Sequence, residues 1–418
     1  VVDPGIDAPD QGTPAFARVE RIKMSALNPD VADLSTRQIL IGHTFADGIP
    51  EPGRDHLHSI GSLRFGDDKT LLVASGDGGD ASFTDPGGYE SAFGSDLVPP
   101  EQNIGAFRAQ SLHSMAGKIL RIDKETGLGL PSNPYWDGDG TSARSRVWVY
   151  GLRNPFRFAL RAGSGSTDPS TGRPGSLYIG DVGWRTTEEF DIASSGGANY
   201  GWPCIEGNRP NPDYEAITET GYPNANVLCG APPSAENPTG KSLPVFSWEH
   251  DDSTLSNPPG LRGNCSIGGT FAGGASYPAE YHGLYFHADF GAMWIKAMHV
   301  DASDHVIAFE DFIEHAGGVV DVETDPATGD LWYIDIYSGT VYRVRFSTSP
   351  APMGNAPASR ASHSRRPSAP HRSAASARAT QAVADADQVA LERRSGQKAG
   401  AASPFVRAVC SSCHGSEG

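Results

Sequence analysis

Cysteine is scarce in this chain, with five residues in 418. That excludes a small disulfide-framed module, whose cysteines are dense because its core is too small to hold the fold. Charged side chains make up only 20% of the sequence, and segments with helical periodicity are nearly missing, which excludes a coiled coil or a helical bundle. No apolar run approaches the roughly 18 residues that would cross a bilayer as a helix. Residues 1–14, VVDPGIDAPDQGTP, contain neither a basic leader nor an apolar stretch. No signal peptide is therefore expected there, and a chain starting with Val reads as a mature or trimmed form.

Basic residues are also in deficit, at 33 Lys and Arg against 50 Asp and Glu, for a net charge of −17. The deficit is uneven. Residues 351–418 hold nine basic and four acidic side chains, a net +5, so residues 1–350 carry −22. A body this acidic repels nucleic acid and anionic lipid and suits neutral substrates and bound cations. Cys204 and Cys229 bracket one polar loop, and a disulfide between them is expected, placing the protein in the periplasm or outside the cell; the alternative is that they and Cys265 are thiols.

What is abundant is turn chemistry, with 50 Gly and 32 Pro. Four segments share one plan: KTLLVASGD ending at Asp77, GSLYIGD at Asp181, GLYFHAD at Asp289 and GDLWYID at Asp335. In each, a turn leads into a short apolar strand that ends in Asp, and a partner strand lies nearby in sequence. Repeated short antiparallel units predict an all-β fold, a β-propeller. A sandwich is the competing architecture, but it does not call for the same ending four times. An Asp at a strand end has a purely structural use, capping the turn by accepting backbone N–H bonds. That use is expected at Asp289 and Asp335 more than at Asp77 and Asp181.

The pattern stops at Arg345-Phe346. The expected organisation is a propeller over 1–346, a disordered Ser/Ala/Pro/Arg-rich linker over 347–380, and the start of a cytochrome c segment over 381–418. The last assignment rests on Cys410-Ser-Ser-Cys413-His414, the spacing of covalent c-type haem attachment, in which both thiols bond the haem and the imidazole of His414 ligates iron. A zinc site would need more ligands than this tail offers, and a redox dithiol leaves His414 without a purpose. The sequence ends four residues after His414, so the cytochrome segment is truncated.

Of thirteen histidines, His58 stands out, in a loop just before an alternating strand and nineteen residues ahead of Asp77. An imidazole there can take a proton from a hydroxyl near neutral pH. Spacing alone leaves it open between a base and a structural role, with His56 as a rival.

Seven motifs in order carry a family resemblance: His58-Ser-Ile-Gly-Ser-Leu63, Ala74-Ser-Gly-Asp77-Gly-Gly79, Gly117-Lys-Ile-Leu-Arg-Ile-Asp123, Tyr150-Gly-Leu-Arg153-Asn154-Pro155-Phe156, Gly180-Asp181-Val-Gly183-Trp184 followed by Glu188-Glu189, Gly197-Ala-Asn-Tyr-Gly-Trp-Pro203, and Val320-Asp-Val-Glu-Thr-Asp-Pro326. Over roughly residues 55–346 the chain resembles the glucose/sorbosone dehydrogenase family, soluble quinoprotein sugar dehydrogenases that use pyrroloquinoline quinone (PQQ) and calcium. The resemblance implies a six-bladed propeller whose first blade is incomplete, and it implies that His58 is the base that removes a hydroxyl proton. It implies that Arg153 and Asn154 contact the quinone carbonyl region, with Arg153 serving catalysis, and that Asp77 lies near the cofactor. The backbone carbonyls of Gly183 and Trp184 would hold the catalytic calcium, and Glu188 and Glu189 would serve a structural calcium. The positions where the best-studied branch has basic groups for the cofactor carboxylates read here as Asp289, Gly318 and Val320. The implied function is oxidation of an aldose or polyol, with electrons passing to the haem or another electron acceptor. The alternatives are a non-catalytic, calcium-stabilised propeller that binds carbohydrate or protein, and a lactonase-type hydrolase using Asn154 and Asp181 around a channel calcium.

Overall fold

The computed structural model describes residues 15–51, 57–87, 99–217, 229, 240–250, 260–272, 275 and 277–346. Four antiparallel sheets follow one another along the chain. The first joins Ile60–Phe65, Leu71–Ser75, Lys118–Ile122 and Val147–Tyr150, and the second joins Pro155–Leu160, Leu177–Asp181, Thr187–Ala193 and Phe246–Glu249. Ser266–Phe271, Tyr285–Asp289, Trp294–Val300 and Val306–Ile313 form the third, while Val319–Thr324, Leu331–Asp335 and Thr340–Val344 form the fourth. A hairpin of Val19–Met24 with Ala32–Ile41 precedes them. Among the described residues, helix is limited to two single-turn α-helices, Ala143–Arg146 and Pro212–Glu215, short 3-10 turns and the helical Cys229.

The sheets stack face to face around an axis, because each has apolar residues on both faces. In the first sheet, Leu71 and Val73 pack toward the hairpin against Val19, Leu40 and Ile41. The intervening Leu72 and Ala74 pack toward the second sheet against Phe158, Leu177 and Ile179. Adjacent strand residues point to opposite faces, so a strand covered on both sides must be an unbroken apolar run. The second and third sheets share Tyr178, Phe190, Trp248, Tyr285 and Trp294. The third and fourth share Phe286, Ile295, Val319 and Leu331.

Within this stack, the first strand of each sheet lies beside the first strand of the next. Glycine makes the approach possible. A Cβ on Gly61 would sit 2.6 Å from the Phe156 carbonyl oxygen, and one on Gly268 would sit 2.4 Å from that of Arg157. Arg64 pairs with Glu323, and Arg157 pairs with Asp321 at 3.3 Å, tying the first and second sheets across the axis to the fourth. Radial sheets with their first strands innermost are the arrangement of a β-propeller.

The strand-ending aspartates explain themselves in this frame. Each reaches toward the residues that precede its sheet's first strand. Asp181 accepts from the backbone N–H of Arg153 at 2.9 Å and of Asn154 at 2.7 Å. Asp289 accepts from Cys265 N–H at 3.2 Å, and Asp335 from Gly318 N–H at 2.8 Å. In the first sheet the same position is filled by a side chain: Asp77 meets the imidazole of His58 at 2.7 Å. The capping role expected of Asp289 and Asp335 is what they perform, and Asp181 shares it.

The expected disulfide is present, joining Cys204 to Cys229 across 25 residues with Cα atoms 5.2 Å apart. No helix among the described residues is long and apolar enough to cross a membrane. The linker over 347–380 and the segment holding Cys410, Cys413 and His414 lie outside the described residues, as does His56.

Candidate active site

His58 sits where the chain turns into the first sheet, two residues before Ile60, with φ of 58°. Left-handed backbone at a non-glycine residue is uncommon, though less costly for His than for most side chains. The conformation is fixed from behind by Gly76: a Cβ there would fall 2.4 Å from the His58 carbonyl oxygen. Turned this way, the imidazole is fully enclosed and its Nδ1 lies 2.7 Å from Asp77 Oδ1.

Asp77 is itself held by further bonds. Gly79 N–H donates to its Oδ1 at 2.9 Å, and the indole Nε1–H of Trp202 donates to its Oδ2 at 2.7 Å. Its own N–H donates to the carbonyl of Arg153 at 2.8 Å. Burial pushes the Asp77 carboxyl up, but His58, Arg153 and the Gly79 amide together bring it below the ordinary value. An ionised carboxylate only accepts, so the shared proton belongs to His58 Nδ1 and the Nε2 lone pair is left bare. That Nε2 is buried and has no hydrogen-bond partner. Burial and the charge of Arg153 lower the His58 pKa, against the opposing pull of Asp77. The ring is therefore neutral at pH 7, an oriented base with an open nitrogen.

Arg153 and Asn154 occupy the corresponding turn into the second sheet. The guanidinium Nη1 of Arg153 donates to the carbonyls of Val182 at 3.0 Å and Gly183 at 2.6 Å, and the guanidinium carbon lies 5.5 Å from the centre of the Trp202 ring. Its Nε is buried without a partner. The Gly183 carbonyl, expected to bind calcium, is thus engaged by a guanidinium here.

A second acidic group lies beneath Arg153. Carboxylate oxygens of Asp181, Glu189 and Asp191 all fall within 4.8 Å of one another, and all three residues are buried. Both oxygens of Asp191 lack a hydrogen-bond partner. Burial raises the Asp181 carboxyl to about 7. Glu189 and Asp191 are driven well above their ordinary values by burial and by their acidic neighbours. Three hard oxygen donors with an orphaned carboxylate fit a divalent cation such as calcium. Asp181 also accepts the N–H groups of Arg153 and Asn154, so an ion here would fix the turn that carries both.

Glu188 is placed differently from Glu189. One oxygen meets His250 Nε2 at 2.6 Å, and the other accepts from Gly183 N–H at 3.1 Å and Ser266 N–H at 2.6 Å. Trp184 is 5% exposed and packs on Trp202 and Tyr214, while its N–H donates to Glu206 at 2.9 Å.

Residues 48–226 match the family model described as glucose/sorbosone dehydrogenase. The match covers 179 of the 418 residues. The matched span contains His58, Asp77, Arg153, Asn154 and the acidic group. Curated relatives include a HIPL2 protein of Arabidopsis thaliana, 29% identical over 254 residues, which is 56% of this chain and 29% of the relative. An aldose sugar dehydrogenase of Escherichia coli is 33% identical over 95 residues, 23% of this chain and 22% of that one. The chain spans less than a third of the length of the curated relatives it matches. Among solved structures, the PQQ-bound form of an aldose sugar dehydrogenase from Streptomyces coelicolor aligns with 81% of this chain and 69% of its own, at 18% identity and a TM-score of 0.44.

Motif reading in the domain singled out His58, Asp77, Arg153, Asn154, Gly183, Trp184, Glu188 and Glu189. The fold brings the first four together, and it separates Glu188 from Glu189 because neighbours on a strand face opposite ways. Asp191 and Trp202 were missed. The signal for Asp191 was available: it follows Glu189 at the two-residue spacing that places both on one face. Trp202 lay inside a quoted motif, but nothing in its spacing pointed to Asp77.

Proposed function

We propose that this chain is the catalytic propeller of a dehydrogenase that oxidises an aldose or polyol, using PQQ and calcium, with a c-type haem as electron acceptor. The supporting observation is the His58–Asp77 pair with its open, buried Nε2. Oxidation of a CH–OH group removes one proton from oxygen and one hydride from carbon. His58 Nε2 takes the proton, while Asp77 holds the ring in the productive tautomer and stabilises the imidazolium that forms. PQQ, when bound, supplies the hydride acceptor. Arg153, through its unpartnered Nε, and Asn154 are suited to the quinone oxygens, because a guanidinium and an amide stabilise negative charge that develops there. Asp181, Glu189 and Asp191 would hold calcium and keep the Arg153–Asn154 turn in place. The family's carbonyl site at Gly183 and Trp184 remains a proposed second calcium position, reached when Arg153 releases the Gly183 oxygen.

A second reading has its own observation. Asp289, Gly318 and Val320 supply no cation for the cofactor carboxylates, and the buried Arg108 and Lys118 are spent on backbone carbonyls. This favours a calcium-stabilised propeller that binds carbohydrate or protein without redox chemistry. The six-blade count, the haem at Cys410, Cys413 and His414, and a periplasmic or secreted location belong to the first proposal. The Cys204–Cys229 bond supports an oxidising compartment.

The test is reconstitution with calcium and PQQ, followed by absorbance after desalting and dye reduction across aldoses and polyols. Retained cofactor with His58-dependent dye reduction supports the dehydrogenase. Absence of cofactor uptake refutes it in favour of the binding module. Full activity in His58→Ala removes His58 as the base.

A further inference from the structure

Trp202 is 4% exposed and reaches the site from a segment outside both turns that form it. Its backbone is clamped on each side. Its N–H donates to the Gly151 carbonyl at 2.9 Å, and its own carbonyl accepts from Gln110 Nε2 at 2.7 Å. The same Gln110 nitrogen donates to Asn199 Oδ1 at 2.9 Å, and Gly201 N–H donates to that oxygen at 2.9 Å. Position 151 admits no side chain, because a Cβ there would fall 2.2 Å from Asn199 Oδ1. Gly151 lies two residues before Arg153, so the clamp sets the indole against the turn that carries Arg153 and Asn154.

From this anchor the indole serves two partners. Its Nε1–H donates to Asp77 Oδ2 at 2.7 Å, while Oδ1 meets His58 Nδ1 at 2.7 Å. A carboxylate held through one oxygen can swing about its Cβ–Cγ bond. A donor on the second oxygen fixes its plane and so aims Oδ1 at the imidazole. That donor also draws charge from the carboxylate, which keeps Asp77 an acceptor once His58 has taken a proton. The ring, in turn, stands 5.5 Å from the Arg153 guanidinium carbon, within the range at which an indole face attracts a cation. Trp184 and Tyr214 pack on Trp202 with ring centres 6.0 and 5.3 Å away, so the indole is held by neighbouring rings as well as by its backbone.

We propose that Trp202 is a positioning residue that aligns the two halves of the site, orienting His58 through Asp77 with its N–H and steadying Arg153 with its ring. This rests on the proposed sugar oxidation for the reaction it serves, but the alignment is a property of the protein without cofactor.

The test uses the full chain in three variants. Trp202→Phe keeps a ring and removes the N–H, and Trp202→Leu removes both. Tyr214→Phe disturbs the same aromatic group by deleting a hydroxyl that accepts from Asp85 N–H at 3.1 Å. Nitrogen NMR of labelled His58 without cofactor should show one form, protonated on Nδ1, in the parent and in Tyr214→Phe. Trp202→Phe should show both tautomers. Loaded with PQQ and calcium, Trp202→Phe should lose about tenfold in kcat with KM little changed, the size of one charge-assisted hydrogen bond that aligns the base. Trp202→Leu should lose more, because Arg153 is released as well, and Tyr214→Phe should match the parent. A Trp202→Phe protein that keeps the single Nδ1 form overturns the proposal. So does a loss of kcat no greater than that of Tyr214→Phe, because the ring then only fills space. If Trp202→Leu does not fold, Trp202→Phe decides the question. If Trp202→Phe mixes the tautomers but the loaded parent oxidises no sugar, the dehydrogenase fails and the alignment stands.

Discussion

Replacing Asp77 by Asn probes the chemistry at its narrowest point. The amide keeps the shape but has a single acceptor oxygen: with that oxygen on Trp202 Nε1–H, now 2.7 Å from Oδ2, its NH2 takes the Oδ1 place that faces His58 Nδ1 and Gly79 N–H. It cannot accept from His58 Nδ1–H with the strength of a carboxylate, and its own NH2 favours the tautomer with the proton on Nε2. That tautomer has no lone pair facing substrate. A well-placed general base contributes about 10²–10⁴ in rate, so Asp77→Asn should lose that factor in kcat with little change in KM. The stability cost is separate: weakening a buried, charge-assisted bond costs about 1.5–3 kcal/mol, or a few degrees in melting temperature. Stopped-flow dye reduction gives the rate, and nitrogen NMR of labelled His58 gives the tautomer without any cofactor. A variant within threefold of the parent rate, or one whose His58 keeps its proton on Nδ1, would refute the argument that Asp77 sets the base.

The lowered pKa of His58 fixes the pH profile. Activity should be flat through neutral pH and fall only below the ordinary imidazole value of about 6.5. Arg153→Met should move that limb to higher pH by removing a repelling charge, and a parent limb at or above 6.5 contradicts the burial argument. Calcium at one hundred times its dissociation constant should stabilise the fold by about 2.7 kcal/mol in a thermal melt. Asp191→Asn should abolish that response while raising the calcium-free melting temperature, since it removes a buried, unpartnered carboxylate; an unchanged calcium response means the ion binds elsewhere. Cutting the disulfide by Cys204→Ser should cost about 3 kcal/mol for a loop of this length, read by denaturant unfolding, and a cost near zero would mean that the loop is closed by its other contacts.

The sequence by itself determined the strands. Runs such as LLVAS and LYIGD have no alternation because both faces are covered, and the Gly and Asp that punctuate them mark where each strand ends. His58, Asp77, Arg153 and Asn154 were legible because they sit at those ends in recognisable motifs. Tertiary structure decided their partnerships. Asp77, Asp181, Asp289 and Asp335 look alike along the chain, and only the packing of each sheet determines what each one meets. Asp181, Asp289 and Asp335 accept backbone N–H groups from the residues just before their sheet's first strand, where Asp77 instead meets the imidazole of His58. The same holds for the acidic group. Glu188 and Glu189 are adjacent in sequence but point to opposite faces, so Glu189 joins Asp181 and Asp191 while Glu188 joins His250. Local composition sets where strands begin and stop, whereas burial, which depends on what lies across the interface, sets which charges end up together.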